Sequence, residues 1–138
     1  MSARMLAMLA AMGSASLGTP RAPAPDVVVA RTFHAGGIPA TERRYVGGVE
    51  DGRHRGWWPN GRPRFDYTYA HGLMTGRALE WFPSGRPYRD FHYAAGHESG
   101  RQRMWFADGT LRANYEVRDG RRYGLMGSKG CVTPEDAP

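Results

Sequence analysis

The sequence reads as an all-β chain, an antiparallel meander of about four 24-residue β-hairpin repeats, and three features carry that reading. First, its 138 residues include 19 glycines and 10 prolines. Each glycine costs a helix interior about 1 kcal/mol and each proline about 3 kcal/mol, so long helices are disfavoured and a turn-rich β protein is favoured. Second, a pair of aromatic residues followed by a turn recurs at a fixed offset. Trp57-Trp58-Pro59-Asn60-Gly61 returns as Trp81-Phe82-Pro83-Ser84-Gly85 and again as Trp105-Phe106-Ala107-Asp108-Gly109, 24 residues further on each time. Third, polar and apolar residues alternate after each motif, as in Phe65-Asp66-Tyr67-Thr68-Tyr69 and Phe91-His92-Tyr93. Period-two alternation marks a strand with one buried and one wet face.

Along the chain, Ser2-Ala3-Arg4 makes a short positive start and Met5 to Met12 is apolar. Gly13-Ser14-Ala15 then supplies small residues of the kind a signal peptidase reads. Residues 1–15 therefore read as a signal peptide, with a mature chain beginning near Ser16 and export to the periplasm or the cell exterior. A leader without that role would leave the protein cytoplasmic. Residues 16–32 read as a Pro/Ala-rich linker, with an extended spacer from Thr19 to Pro25 and a capping strand around Val27-Val28-Val29. Phe33 and Gly37 fall in the columns of Trp57 and Gly61, so the array is expected to span 33–128. Its units are 33–56, 57–80, 81–104 and a degenerate 105–128, with 129–138 as a tail.

Each unit predicts two strands and their turns. Gly61, Gly85 and Gly109 follow Asn, Ser and Asp, and such pairs make tight turns because glycine reaches positive φ without steric cost. Two further glycine columns, Gly48/Gly72/Gly96/Gly120 and Gly52/Gly76/Gly100/Gly124, carry the chain into the next unit. With two strands per unit, successive units lie about 9–10 Å apart and each column becomes a ladder. The expected repeat core is Trp57, Trp81 and Trp105 with Tyr67, Phe91, Tyr115, Tyr69 and Tyr93. Each hairpin has to bury its apolar face on a neighbour, and one such ring contributes about 2–3 kcal/mol. Trp58, Phe82 and Phe106 point to the opposite side of the strand and are the candidate partner-binding residues.

The aromatic pair, the Asn/Asp/Ser-Gly turn, the following Tyr or Phe column and the Gly-x-x-x-Gly spacer together resemble the MORN-repeat variant. They are most similar to the bacterial form labelled a YwqK-family antitoxin, and the resemblance covers about residues 33–124. Pro63 and Pro87 stand where the bacterial form has an aliphatic residue, which Leu111 keeps. Lys129 and Gly130 replace the next aromatic pair, so the array ends there. The resemblance implies a hairpin array used for binding: a scaffold, an anionic-lipid contact or an antitoxin-like role.

The net charge is +6, and Lys129 is the only lysine, so the basic character is arginine. An arginine-rich composition is what a GC-rich genome yields, and it is also what a polyanion-binding surface uses. Arg53, Arg77 and Arg101 form one column and Arg62 with Arg86 another, and these are the candidate anion-binding residues. The structural alternative is cross-strand pairing with Asp66, Asp90, Glu80 or Glu98, worth about 0.2–1 kcal/mol each. Asp66 and Asp90 share a column that Asn114 completes, so they read as solvent-face or turn-supporting residues rather than a unique acid/base pair. The histidines, His34, His54, His71, His92 and His97, share no column, and Cys131 is the only cysteine. No metal site, cofactor, catalytic constellation or small-molecule substrate is expected. The expected function is a non-enzymatic module for protein–protein interaction or scaffolding. The alternative is binding of anionic lipid or another polyanion through the arginine columns, and nucleic acid is not expected.

Overall fold

A computed structural model of the chain describes residue 18 and residues 20–127. The leader, Cys131 and the 129–138 tail lie outside the described residues. The strands are β1 (Val27–Phe33), β2 (Pro39–Val46), β3 (Val49–Glu50), β4 (Gly52–Trp57), β5 (Pro63–Ala70) and β6 (Leu73–Trp81). They continue as β7 (Pro87–Ala94), β8 (His97–Glu98), β9 (Gly100–Trp105), β10 (Leu111–Arg118) and β11 (Arg121–Leu125). All belong to one antiparallel sheet in the order β1-β2-β4-β5-β6-β7-β9-β10-β11, with β3 on β2 and β8 on β7. The fold is thus the antiparallel hairpin meander that the sequence predicts. The segment expected to cap the array forms β1 and pairs with β2. The far edge is β11, inside the fourth unit. Among the described residues no helix is long and apolar enough to cross a membrane.

Two turn types alternate down the array. At one margin the amides of Gly61, Gly85 and Gly109 bond back to the carbonyls of Trp58, Phe82 and Phe106, and these glycines have φ of +81°, +90° and +91°. At the other margin both central residues have positive φ: Gly47-Gly48, His71-Gly72, Ala95-Gly96 and Asp119-Gly120. Left-handed φ at both positions is the type I′ pattern, whose twist matches that of the flanking strands. His71, Ala95 and Asp119 therefore hold a conformation that side chains disfavour, because the hairpin requires it.

After each of the first three type I′ turns, the returning strand carries two extra residues. Tyr45 faces Glu50 but Glu42 faces Arg55, and the same step recurs between Tyr69/Met74 and Asp66/Leu79 and between Tyr93/Glu98 and Asp90/Arg103. The last hairpin, from Asn114/Leu125 to Arg118/Arg121, runs without this bulge. Two bulges are closed by buried polar side chains. His54 Nε2 lies 2.8 Å from the Arg44 carbonyl, and Gln102 Nε2 donates to the His92 carbonyl at 2.8 Å. His54 and Gln102 are 2% and 0% exposed, and both belong to a column whose middle member is Ala78.

The core is one layer deep. The buried apolar residues are Ala78, Phe91, Ala113, Tyr115 and Val117. They stand on one face with His54, Tyr67, Tyr69 and Tyr93, as the pairs His54/Tyr67, Ala78/Phe91 and Gly76/Tyr93 require. Phe91 and Tyr115 are buried core as expected, whereas Tyr67, Tyr69 and Tyr93 are half-buried. Trp57, Trp81 and Trp105 are half-buried too; Arg55 and Arg103, whose carboxylate partners lie on the opposite face, stand over Trp57 and Trp105, whereas Trp81 borders the aromatic face. Of the expected repeat core, Phe91 and Tyr115 are buried outright and the three tryptophans are not.

Candidate functional site

The two faces of the sheet carry different chemistry. On the aromatic face a groove of about 400 Å³ opens along β4 to β7. Its floor includes His54, Phe65, Tyr67 and Tyr69, and Trp58 and Tyr88 line it from the turn margin. The rings support one another. Phe65 stacks on Tyr67 with centroids 4.8 Å apart, and His54 tilts against Tyr69 at 4.6 Å. Gly56 makes room for Phe65, since a Cβ there would stand 2.1 Å from the ring.

Charge in the groove is uneven. Tyr67 donates to Glu80 at 2.7 Å, and burial, reinforced by that carboxylate, pushes the phenol well above its ordinary range. Arg89 lies 3.6 Å from the same carboxylate, so Glu80 is satisfied from two sides. Glu50 lies 3.9 Å from the His54 ring. Arg43 and Arg64 line the groove without a carboxylate partner among the described residues, and Arg64 lies 4.8 Å over the Trp58 ring.

The expected partner-binding column is built into the turn margin. Six residues after each second aromatic, another residue packs on it: Arg64 on Trp58, Tyr88 on Phe82 at 4.9 Å, and Arg112 on Phe106 at 5.5 Å. Trp58 also donates its Nε1–H to the Trp81 carbonyl at 3.0 Å, tying one unit to the next. Trp58 and Phe82 are half-buried and Phe106 is 44% exposed. Of the three, Trp58 reaches the groove.

The opposite face carries a lattice of arginines and carboxylates. Arg53 chelates Asp66 and Arg77 chelates Asp90, each 13 residues apart. Arg103 adds a 2.6 Å bond to Asp90, while Arg31 and Arg55 both hold Glu42. Asp90 is 4% exposed, so its reading as a solvent-face residue is corrected. The Arg77 guanidinium, with help from Arg103, holds its carboxyl down at about 2 against the opposing effect of burial. Arg53 and Arg77 thus do what the structural alternative expected, while Arg101 makes no side-chain ion pair among the described residues. Arg62 and Arg86 act as straps: Arg62 donates to the Ser84 carbonyl and Arg86 to the Ala107 carbonyl at 3.2 Å. Asn60 adds a third strap to the Pro83 carbonyl at 2.8 Å.

Sequence reading passed over Arg43, Arg64 and Tyr88, and it singled out Phe65 and Glu80 only as a strand residue and a pairing carboxylate. The 64/88/112 column was available as a signal, because it sits at a constant distance from the aromatic pairs. Among the described residues no group of three or more His, Cys, Asp or Glu is placed to hold a metal ion. No protein-family model, curated protein or solved structure matches the chain.

Proposed function

We propose that this chain is a non-enzymatic binding module that takes an extended segment of another protein along its aromatic face. One observation carries the reading: a single-layer sheet leaves a groove of half-buried rings with no second layer over it among the described residues. Uncovered apolar grooves rimmed by polar groups are typical of interaction sites. The unpaired guanidiniums of Arg43 and Arg64 favour a partner with acidic side chains beside apolar ones. The resemblance to MORN-type hairpin arrays agrees with a scaffold role and leaves an antitoxin-like use open to the same partner test. The leader adds export to the proposal, and intact mass of the native protein tests it: a chain starting near Ser16 supports export and a retained Ser2 contradicts it.

The test is selection of displayed random peptides on the full chain, with the affinity of synthetic winners measured by fluorescence anisotropy. The expected winners combine acidic with aromatic or aliphatic residues. Trp58→Ala combined with Tyr69→Ala should weaken them at least tenfold, about 1.4 kcal/mol. Raising salt to about 0.5 M should cost less than about tenfold, because ring burial is not screened. Binding that disappears at high salt and ignores the double substitution would support polyanion binding instead.

A further inference from the structure

We propose that the arginine face carries one oxyanion site, formed by Arg77, Arg101 and Arg103 at the join of β6, β7 and β9, which takes a phosphate or pyrophosphate group. A cleft of about 440 Å³ opens there, lined by these three arginines with Asp90, His92 and Ser99. It lies on the face opposite the aromatic groove and does not rest on the reading of that groove.

A break in the repeat creates the site. Arg53 and Arg77 each chelate the carboxylate 13 residues on, Asp66 and Asp90. The residue 13 beyond Arg101 is Asn114, which stands in the same column but carries no charge. Glu116 sits across the strand pair from Arg101, but its carboxylate is bonded to Arg118. Arg101 is therefore an exposed guanidinium that feels Glu116 across the strand pair but lacks the chelating carboxylate that Arg53 and Arg77 have.

Its neighbours add to the surplus. Arg77 spends Nε and Nη2 on Asp90, while Arg103 spends Nη2 and has its Nε buried, so the donors left for a ligand are on the terminal Nη nitrogens. The buried Asp90 carboxylate fixes both in place before any ligand arrives. Counting Glu116 and Arg118 beside the cleft, four guanidiniums stand against two carboxylates and leave two positive charges, the complement of a phosphate dianion. Planar forks that are already held match phosphate oxygens in pairs and lose little entropy on binding.

Titration of the full chain with inorganic pyrophosphate at low salt, followed by amide NMR, tests the site. Saturable shifts at His92, Gly100 and Arg101 are expected. Arg101→Gln should weaken binding at least tenfold. Asn114→Asp, which restores the missing carboxylate, should weaken it at least fivefold while leaving the melting temperature unchanged or higher. Arg53→Gln, on an arginine already neutralised by Asp66, should change it less than twofold. Shifts that do not saturate, an equal loss in Arg53→Gln, or no response to Asn114→Asp would overturn the proposal. So would retention on phosphatidate vesicles that pyrophosphate fails to compete off.

Discussion

The two faces of the sheet are made by the same 24-residue repeat, yet they solve opposite problems. On the aromatic face Phe91, Tyr115, Ala113 and Val117 exclude water, but among the described residues no second layer covers the groove beside them. On the arginine face Arg31, Arg53, Arg55, Arg77 and Arg103 each pair with a carboxylate on a neighbouring strand, and the carboxylate of Asp90 is driven under the guanidiniums of Arg77 and Arg103. The first face is packed but uncovered, and the second is polar but closed by ion pairs. Repetition neutralises a polar face because an acid column and a basic column can pair at every step. It cannot cover an apolar face, because a single sheet has nothing to place over it. On the proposed reading, that difference puts the docking surface on the aromatic side and the anion site where the pairing pattern of the arginine side breaks.

The largest effect is expected where the polar face is buried. Asp90→Ala leaves Arg77 and Arg103 without their carboxylate and should destabilise the chain by about 3 kcal/mol, read as a lower urea midpoint. The same interaction gives a pH signature. Asp90 titrates at about 2 when folded against 3.8 unperturbed, so its stabilisation is present above 3.8 and is lost as pH falls from there toward 2. The loss is about 2 kcal/mol, and Asp90→Asn should remove that component of the acid dependence. If the slope of stability against pH in this window is the same in Asp90→Asn, the buried ion pair is not the anchor of that face.

Next comes Gln102→Ala, which strips the carbonyls of His92 and Ser99 of a buried donor. It should cost about 1–3 kcal/mol in the urea midpoint and increase amide exchange around Gly100. The middle bulge already has Ala78 in this column, so exchange near Gly76 should stay unchanged. The smallest effect is that of Asn114→Asp on stability. Completing the exposed pair with Arg101 should add no more than about 1 kcal/mol, vanishing at high salt.

Much of the fold is legible in the sequence. The offset of the Trp-aromatic-x-x-Gly motifs fixes the repeat, and alternation such as Phe65-Asp66-Tyr67 fixes strands with two unlike faces. Which face is packed to burial is not legible, because Trp57 and Tyr67 are both large rings and pattern alone ranks them equally. The choice is made in three dimensions, where Arg55 and Arg103 stand over Trp57 and Trp105 while Phe91 and Tyr115 meet edge to face. The type I′ turns hide for a related reason. Asp119-Gly120 does signal such a turn, but Ala95 is not a residue that announces positive φ, and the turn imposes it there. The candidate sites were half visible: the arginine columns could be counted, but the use of Arg53 and Arg77 as paired struts depends on strand register. Arg101 stands out only once Asn114 is seen to occupy a carboxylate position.

The central claim is that the aromatic face receives the partner. Mapping a selected peptide onto the full chain by NMR shift perturbation tests it most directly. The account predicts that the perturbed residues are Trp58, Tyr67, Tyr69 and Tyr88, with Arg53 and Arg77 unmoved. Perturbations centred on Arg53, Arg77 and Arg101, with the groove silent, would contradict it.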